Sequence, residues 1–177
     1  MIHYPILQTS QQRRHNVRSN GFSGSILVVD DDKDVADFLV YALKNFGHRP
    51  HAVYGGKEAI AALEKQTFDI VITDLSMTDI DGLGVLRVIN RMKRKPTALM
   101  VSGYATIQEA AEAIRQGAYD FIPKSLHVHQ LNEIVQRTMK RQQLVTQIGS
   151  QKTLAMALSL SLPIWLVLGA ALAFALV

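Results

Sequence analysis

A chain of 177 residues with 48% apolar content has the length for one domain plus extra segments, and enough apolar material for a sizeable core. It has no cysteine, which excludes a disulfide framework, a thiolate zinc site and a thiol nucleophile. Its formal charge of +4 is uneven: residues 1–25 carry Arg13, Arg14 and Arg18 and no acid, residues 26–145 are balanced, and residues 146–177 carry only Lys152, so the central part is not a nucleic-acid binder by bulk charge.

The first 24 residues are polar and rich in Gln, Ser, Asn and Arg. They lack the apolar run of a secretory signal and read as a disordered basic leader, with Arg13 and Arg14 able to make a weak contact to an anionic surface. Five short apolar runs then alternate with longer amphipathic ones over residues 25–145. Strands are expected at 26–29, 49–53, 70–73, 98–101 and 119–122, and helices at about 34–46, 56–65, 83–94, 106–116 and 127–145. Val35, Phe38, Leu39, Ala42, Leu43 and Phe46 form an apolar stripe of helical period in the first helix. Gly47, Pro96 and Gly117 stand where helices should stop. The basic run RMKRK at 91–95 sits at a helix end, where it complements the helix dipole and reads as a solvated face. Strict alternation implies a doubly wound α/β fold, with a parallel sheet and helices on both faces.

Ligands of such sheets bind beyond the carboxyl ends of the strands. Asp30, Asp31 and Asp32 follow the first run, Asp74 the third, Ser102 the fourth and Lys124 the fifth. Carboxylates without cysteine or a paired histidine motif favour a hard cation such as Mg²⁺, which also makes adjacent aspartates tolerable. A further carboxylate beside such a cation can act as a nucleophile toward a phosphoryl group. A hydroxyl and an ammonium would neutralise the equatorial oxygens during transfer. Taken singly, each residue has a simpler reading: Asp32 or Asp34 as a helix N-cap, Asp74 as a turn cap, Ser102 as a local hydrogen bond, Lys124 as a solvated charge. The case for chemistry is that four strand ends carry the groups one reaction needs.

With ILVVDD (26–31), DIVITDLSMTDIDGLGVL (69–86) and SGYATIQEAAEAIRQGAYDFIPK (102–124) in hand, residues 26–145 resemble the receiver domain of two-component response regulators, most closely receivers of enhancer-binding transcription activators. The resemblance implies a flavodoxin-like five-stranded sheet in the order 2-1-3-4-5. It implies that Asp74 accepts a phosphoryl group from a sensor histidine kinase. Mg²⁺ would be held by Asp31, Asp30, Asp74 and the backbone carbonyl of Ser76. Ser102 and Lys124 would bind the phosphoryl oxygens. Ser102 and Phe121 would form a switch that remodels the face of the fourth helix, fifth strand and fifth helix for a downstream protein. Such a protein supports its own phosphotransfer and is not a turnover enzyme.

Two positions depart from the family pattern: Thr78 and Ser125 stand where prolines are usual. The proline after the lysine often follows a cis bond. A non-proline cis bond costs roughly 2.5–4 kcal/mol, so the loop here is expected to be trans and to aim Lys124 differently.

Thr153 to Val177 carries no charge over 25 residues. After a linker at 146–152, this run is expected to cross a bilayer as a single-pass helix, with Gly169 and Ala173 at small-xxx-small spacing. Arg137, Lys140, Arg141 and Lys152 on its N-terminal side would keep the receiver on the cytoplasmic face of the cell membrane. The other location to weigh is the cytoplasm itself. The 32 residues after Val145 leave no room for a DNA-binding output domain, so no nucleic-acid partner is expected, unless the chain is a fragment of a longer regulator. The competing functions are a non-catalytic receiver-fold docking module and a Mg²⁺-dependent phosphohydrolase. The hydrolase is disfavoured because Ser76 stands where its general-acid carboxylate would be.

Overall fold

The computed structural model describes residues 22–103, 106–125 and 127–145. The leader up to residue 21 and the uncharged run at 153–177 lie outside the described residues. Strands β1 (Ser25–Val29), β2 (Arg49–Val53), β3 (Ile70–Asp74), β4 (Thr97–Ser102) and β5 (Asp120–Pro123) alternate with helices α1 (Lys33–Asn45), α2 (Gly56–Lys65), α3 (Gly82–Arg91) and α4 (Ile107–Arg115). A last helix, α5, occupies 128–145. The strands pair in parallel in the order β2-β1-β3-β4-β5.

That order follows from the residues. β1 and β3 are almost wholly buried and read ILVV and IVIT, the continuous β-branched runs of strands covered on both faces. β2 is half exposed and contains Pro50, which an edge strand tolerates because the lost N–H has no partner to miss. On one face Ile26, Val28, Ile70, Ile72 and Leu99 meet Ala36 and Leu43 of α1 and Leu131, Val135 and Met139 of α5. On the other, Leu27, Val29, Val71 and Met100 meet Ala59 and Leu63 of α2, Val85, Leu86 and Ile89 of α3, and Ala113 of α4. Each fully buried Val, Leu or Ile contributes about 1.5–3 kcal/mol.

Three sequence expectations are corrected. The α1 stripe departs at one residue: Ala42 and Leu43 are buried and Leu39 packs on the core as expected, but Phe38 is 55% exposed, while Ala36, which was not in the expected stripe, is buried. α3 stops at Arg91, with Met92 already extended, so Lys93, Arg94 and Lys95 lie beyond the helix. The chain has only residues 92–96 in which to turn and enter β4 beside Ile70, and Pro96 forces its predecessor out of helical geometry. At the other end, tertiary contacts begin before residue 25. The Phe22 N–H donates to Gln136 Oε1 at 2.8 Å, its carbonyl accepts from Gln136 Nε2 at 3.1 Å, and the Gly24 N–H donates to Nδ1 of buried His48 at 3.3 Å.

Candidate functional site

Parallel pairing brings the carboxyl ends of β1, β3, β4 and β5 level. Val29 lies beside Thr73, Asp74 beside Val101, and Ser102 beside Pro123. Asp30 and Lys124, one step past β1 and β5, therefore share one edge with Asp74 and Ser102, the last residues of β3 and β4. α3 starts hard against this edge: a Cβ on Gly82 would stand 2.2 Å from the Asp74 carbonyl, so only glycine lets the helix approach that closely.

The aspartate block divides in three. Asp30 is buried, and its Oδ1 accepts the Asp32 N–H at 3.0 Å. Asp31 is half-buried, and its Oδ2 accepts the Thr78 N–H at 3.0 Å. Asp32 is the N-cap of α1, accepting from the N–H groups of Asp34 and Val35, as expected of a carboxylate before a helix. Asp30, Asp31 and Asp74 each offer an oxygen, and these lie within 4.8 Å of one another. This all-oxygen, anionic donor set suits a hard divalent cation such as Mg²⁺.

Lys124 closes the cluster. Its Nζ lies 2.8 Å from Asp30 Oδ2 and 2.8 Å from Asp74 Oδ2. The reading of Lys124 as a surface charge fails, while the expectation of a trans loop holds. Among the described residues no peptide bond is cis, yet the ammonium reaches both carboxylates. Its placement comes from β5, since the Lys124 N–H donates to the Ser102 carbonyl at 2.8 Å. Burial pushes the Asp30 carboxyl above the usual carboxylate range, against the pull of Lys124 and the Asp32 N–H. For Lys124 burial acts downward, but the hydrogen bonds and charges of Asp30 and Asp74 outweigh it and hold the ammonium above the ordinary lysine value. One ammonium thus serves two carboxylates.

Ser102 is buried at the end of β4, one residue past the partner of Asp74. Ser76 is exposed two residues beyond Asp74, and Phe121 is half-buried against the core on the α2–α3–α4 side. Sequence reasoning missed what holds the loop after Asp74. Asp79 accepts the Gly56 and Lys57 N–H groups at 2.9 Å each and is pulled down to about 2 by hydrogen bonds from Lys57, Ile80 and Gly56. It caps α2 from the β3–α3 loop. No local pattern announces this, because its partners lie more than twenty residues upstream. The Thr78 N–H bond to Asp31 was hidden for a related reason: only the departure from proline creates that donor.

A family model described as "Response regulator receiver domain" matches residues 26–136. The chain is 30% identical over 114 residues to the transcriptional regulatory protein ZraR of Salmonella typhimurium, covering 64% of this chain and 26% of that one. It is 31% identical over 140 residues to the C4-dicarboxylate transport transcriptional regulatory protein DctD of Rhizobium meliloti, covering 79% and 30%. Among solved structures, the receiver domain of NtrX from Brucella abortus superposes with a TM-score of 0.61 at 32% identity, over 65% of this chain and 98% of that one. The chain spans about a quarter of the length of ZraR and just under a third of DctD.

Proposed function

The chain belongs to the response regulator receiver domain family, and from that premise we propose that Asp74 is its phosphoacceptor, charged by a sensor histidine kinase in the presence of Mg²⁺. The observation that carries the reading is Lys124 Nζ lying 2.8 Å from both Asp74 and Asp30, at the edge where Asp31 completes a three-carboxylate set.

Lys124 holds Oδ2 of Asp74, so Oδ1 is the oxygen to attack phosphorus. The new O–P bond forms as the N–P bond of phosphohistidine breaks, and the imidazole leaves with that electron pair. Asp31, Asp30, Asp74 and the Ser76 carbonyl would hold the Mg²⁺ ion. When bound, the ion would supply charge neutralisation for the transferring group. Lys124 and the Ser102 hydroxyl take the phosphoryl oxygens. Drawing Ser102 toward the phosphoryl group opens room for Phe121 and shifts the α4–β5–α5 face. Ile107, 88% exposed, and Ile114, 47% exposed, make α4 an apolar contact for a downstream protein. The chain is read as a switch, with residues 153–177 anchoring it to the cytoplasmic face of the cell membrane.

Incubation with Mg²⁺ and acetyl phosphate, beside the Asp74→Asn variant, tests the reading by intact mass. A switch gains one acid-stable, base-labile phosphoryl group that Asp74→Asn lacks. No label would mark a docking module, and continuous turnover of external monoesters a hydrolase; either outcome defeats the proposal. For the anchor, full-length protein should sediment with membranes and resist carbonate extraction. A soluble monomer would sink it.

A further inference from the structure

Helices in this fold run against the strands, so the ends of α3 and α5 meet at the amino edge of the sheet, opposite Asp74. There a cleft of about 470 Å³ is lined by Arg94, Lys95, Thr97, Tyr119, Arg141 and Gln142. Gln142 fixes α5 to this edge, its Nε2 donating to the Asp69 carbonyl at 2.8 Å and to Thr97 Oγ1 at 2.6 Å. Arg141 lies over the Tyr119 ring, 5.2 Å from its centre. Arg91, Lys93, Arg94, Lys95, Lys140 and Arg141 are all exposed. Among the described residues none of the six makes an ion pair, whereas Arg137, one turn before Arg141, is paired with Asp120 at 2.8 Å. The one acid lining the cleft, Asp69, has Oδ2 engaged by the Ser25 N–H at 2.8 Å.

Because α3 ends at Arg91, the helix dipole accounts for that residue alone. Lys93, Arg94 and Lys95 lie beyond the helix end, and Arg94 and Lys95 line the cleft together with Arg141. The same cleft is lined by Val145, the last described residue, eight residues before Thr153, where the uncharged run begins. We propose that this basic end is a docking surface for anionic lipid headgroups. It would lie flat on the bilayer that residues 153–177 enter and point the Asp74 edge toward the kinase. The choice of a bilayer as occupant rests on the anchor reading. The electrostatic contact does not need the anchor to be measured.

The described residues close their own core, and the matching NtrX receiver domain is a separate structure, so residues 22–150 serve as the test piece, free of the leader arginines, Lys152 and the uncharged run. Flotation is measured with phosphatidylcholine vesicles and with vesicles carrying phosphatidylserine. Residues 22–150 should bind only the latter and be released near 1 M salt, where the Debye length falls to about 3 Å. Replacing Arg94, Lys95 and Arg141 by Gln together should weaken binding on the order of a hundredfold. Should the loss of Arg141 from Tyr119 impair folding, Arg94→Gln with Lys95→Gln alone should cost roughly thirtyfold. Binding to neither vesicle, equal binding by the variants, or full displacement by inorganic phosphate at matched ionic strength would overturn the proposal. Full-length protein tested on phosphatidylcholine alone reads the anchor separately: its failure there removes the anchor without touching the result for residues 22–150.

Discussion

The two edges of the sheet carry charge in opposite ways. At the carboxyl edge Asp30 and Asp74 are buried, and the half-buried Lys124 bridges them, its Nζ 2.8 Å from each. At the amino edge Arg94, Lys95 and Arg141 are exposed and without ion pairs among the described residues. One topology produces both, since parallel strands and their returning helices sort loops onto two ends. The difference lies in what water can do. Charges taken out of water depend on their partners, and losing one is costly. Charges left in water contribute little to folding and remain available to an external surface. The carboxyl edge should therefore respond to mutation in stability and chemistry together, and the amino edge in binding alone.

The largest effect belongs to Asp31→Ala, which should abolish Mg²⁺-dependent phosphoryl incorporation, as Asp74→Asn should. Next is Lys124→Ala, which leaves Asp30 facing Asp74. In chelator, denaturant titration should show a loss of about 2–4 kcal/mol, partly recovered on adding Mg²⁺. Asp32→Ala should cost about 1 kcal/mol through the lost cap and leave phosphorylation intact, which separates it from its neighbour Asp31. His48 gives a smaller, pH-dependent effect. Burial holds it below the usual histidine value, against the pull of Asn132. The unfolded chain then binds the proton more readily, so stability present above pH 6.5 should fall as pH drops below it. His48→Gln should flatten that slope in thermal unfolding. Arg94→Gln with Lys95→Gln should shift stability by no more than about 0.5 kcal/mol. A large loss there would mean the amino edge is structural and break the comparison.

The element sequence and the edge it builds were legible because strand burial and helix period are local signals. β2 and α2 fall where periodicity placed them. What was not legible depends on distance. The burial of Ala36 in place of Phe38 turns on which residues of α1 face α5, about ninety positions on in sequence. The end of α3 is set by the register of Ile70 beside Thr97. Lys124 and the carboxylates could be placed at one edge from their strand ends, but not the direct pairing of one ammonium with both Asp30 and Asp74, because those come from two other strands. Asp79 and the Thr78 amide act across loops and leave no pattern in their own neighbourhood. The basic run at 91–95 was visible as composition, and only the fold puts it beside Arg141.

The central claim is that the cluster around Asp74 is a Mg²⁺-dependent phosphoacceptor. Reductive trapping of the acyl phosphate after reaction with acetyl phosphate, followed by peptide mapping, tests it at the residue. The predicted result is a single modification at Asp74, present with Mg²⁺ and absent in chelator. Modification at another carboxylate, or at Asp74 to the same extent without Mg²⁺, would contradict the account.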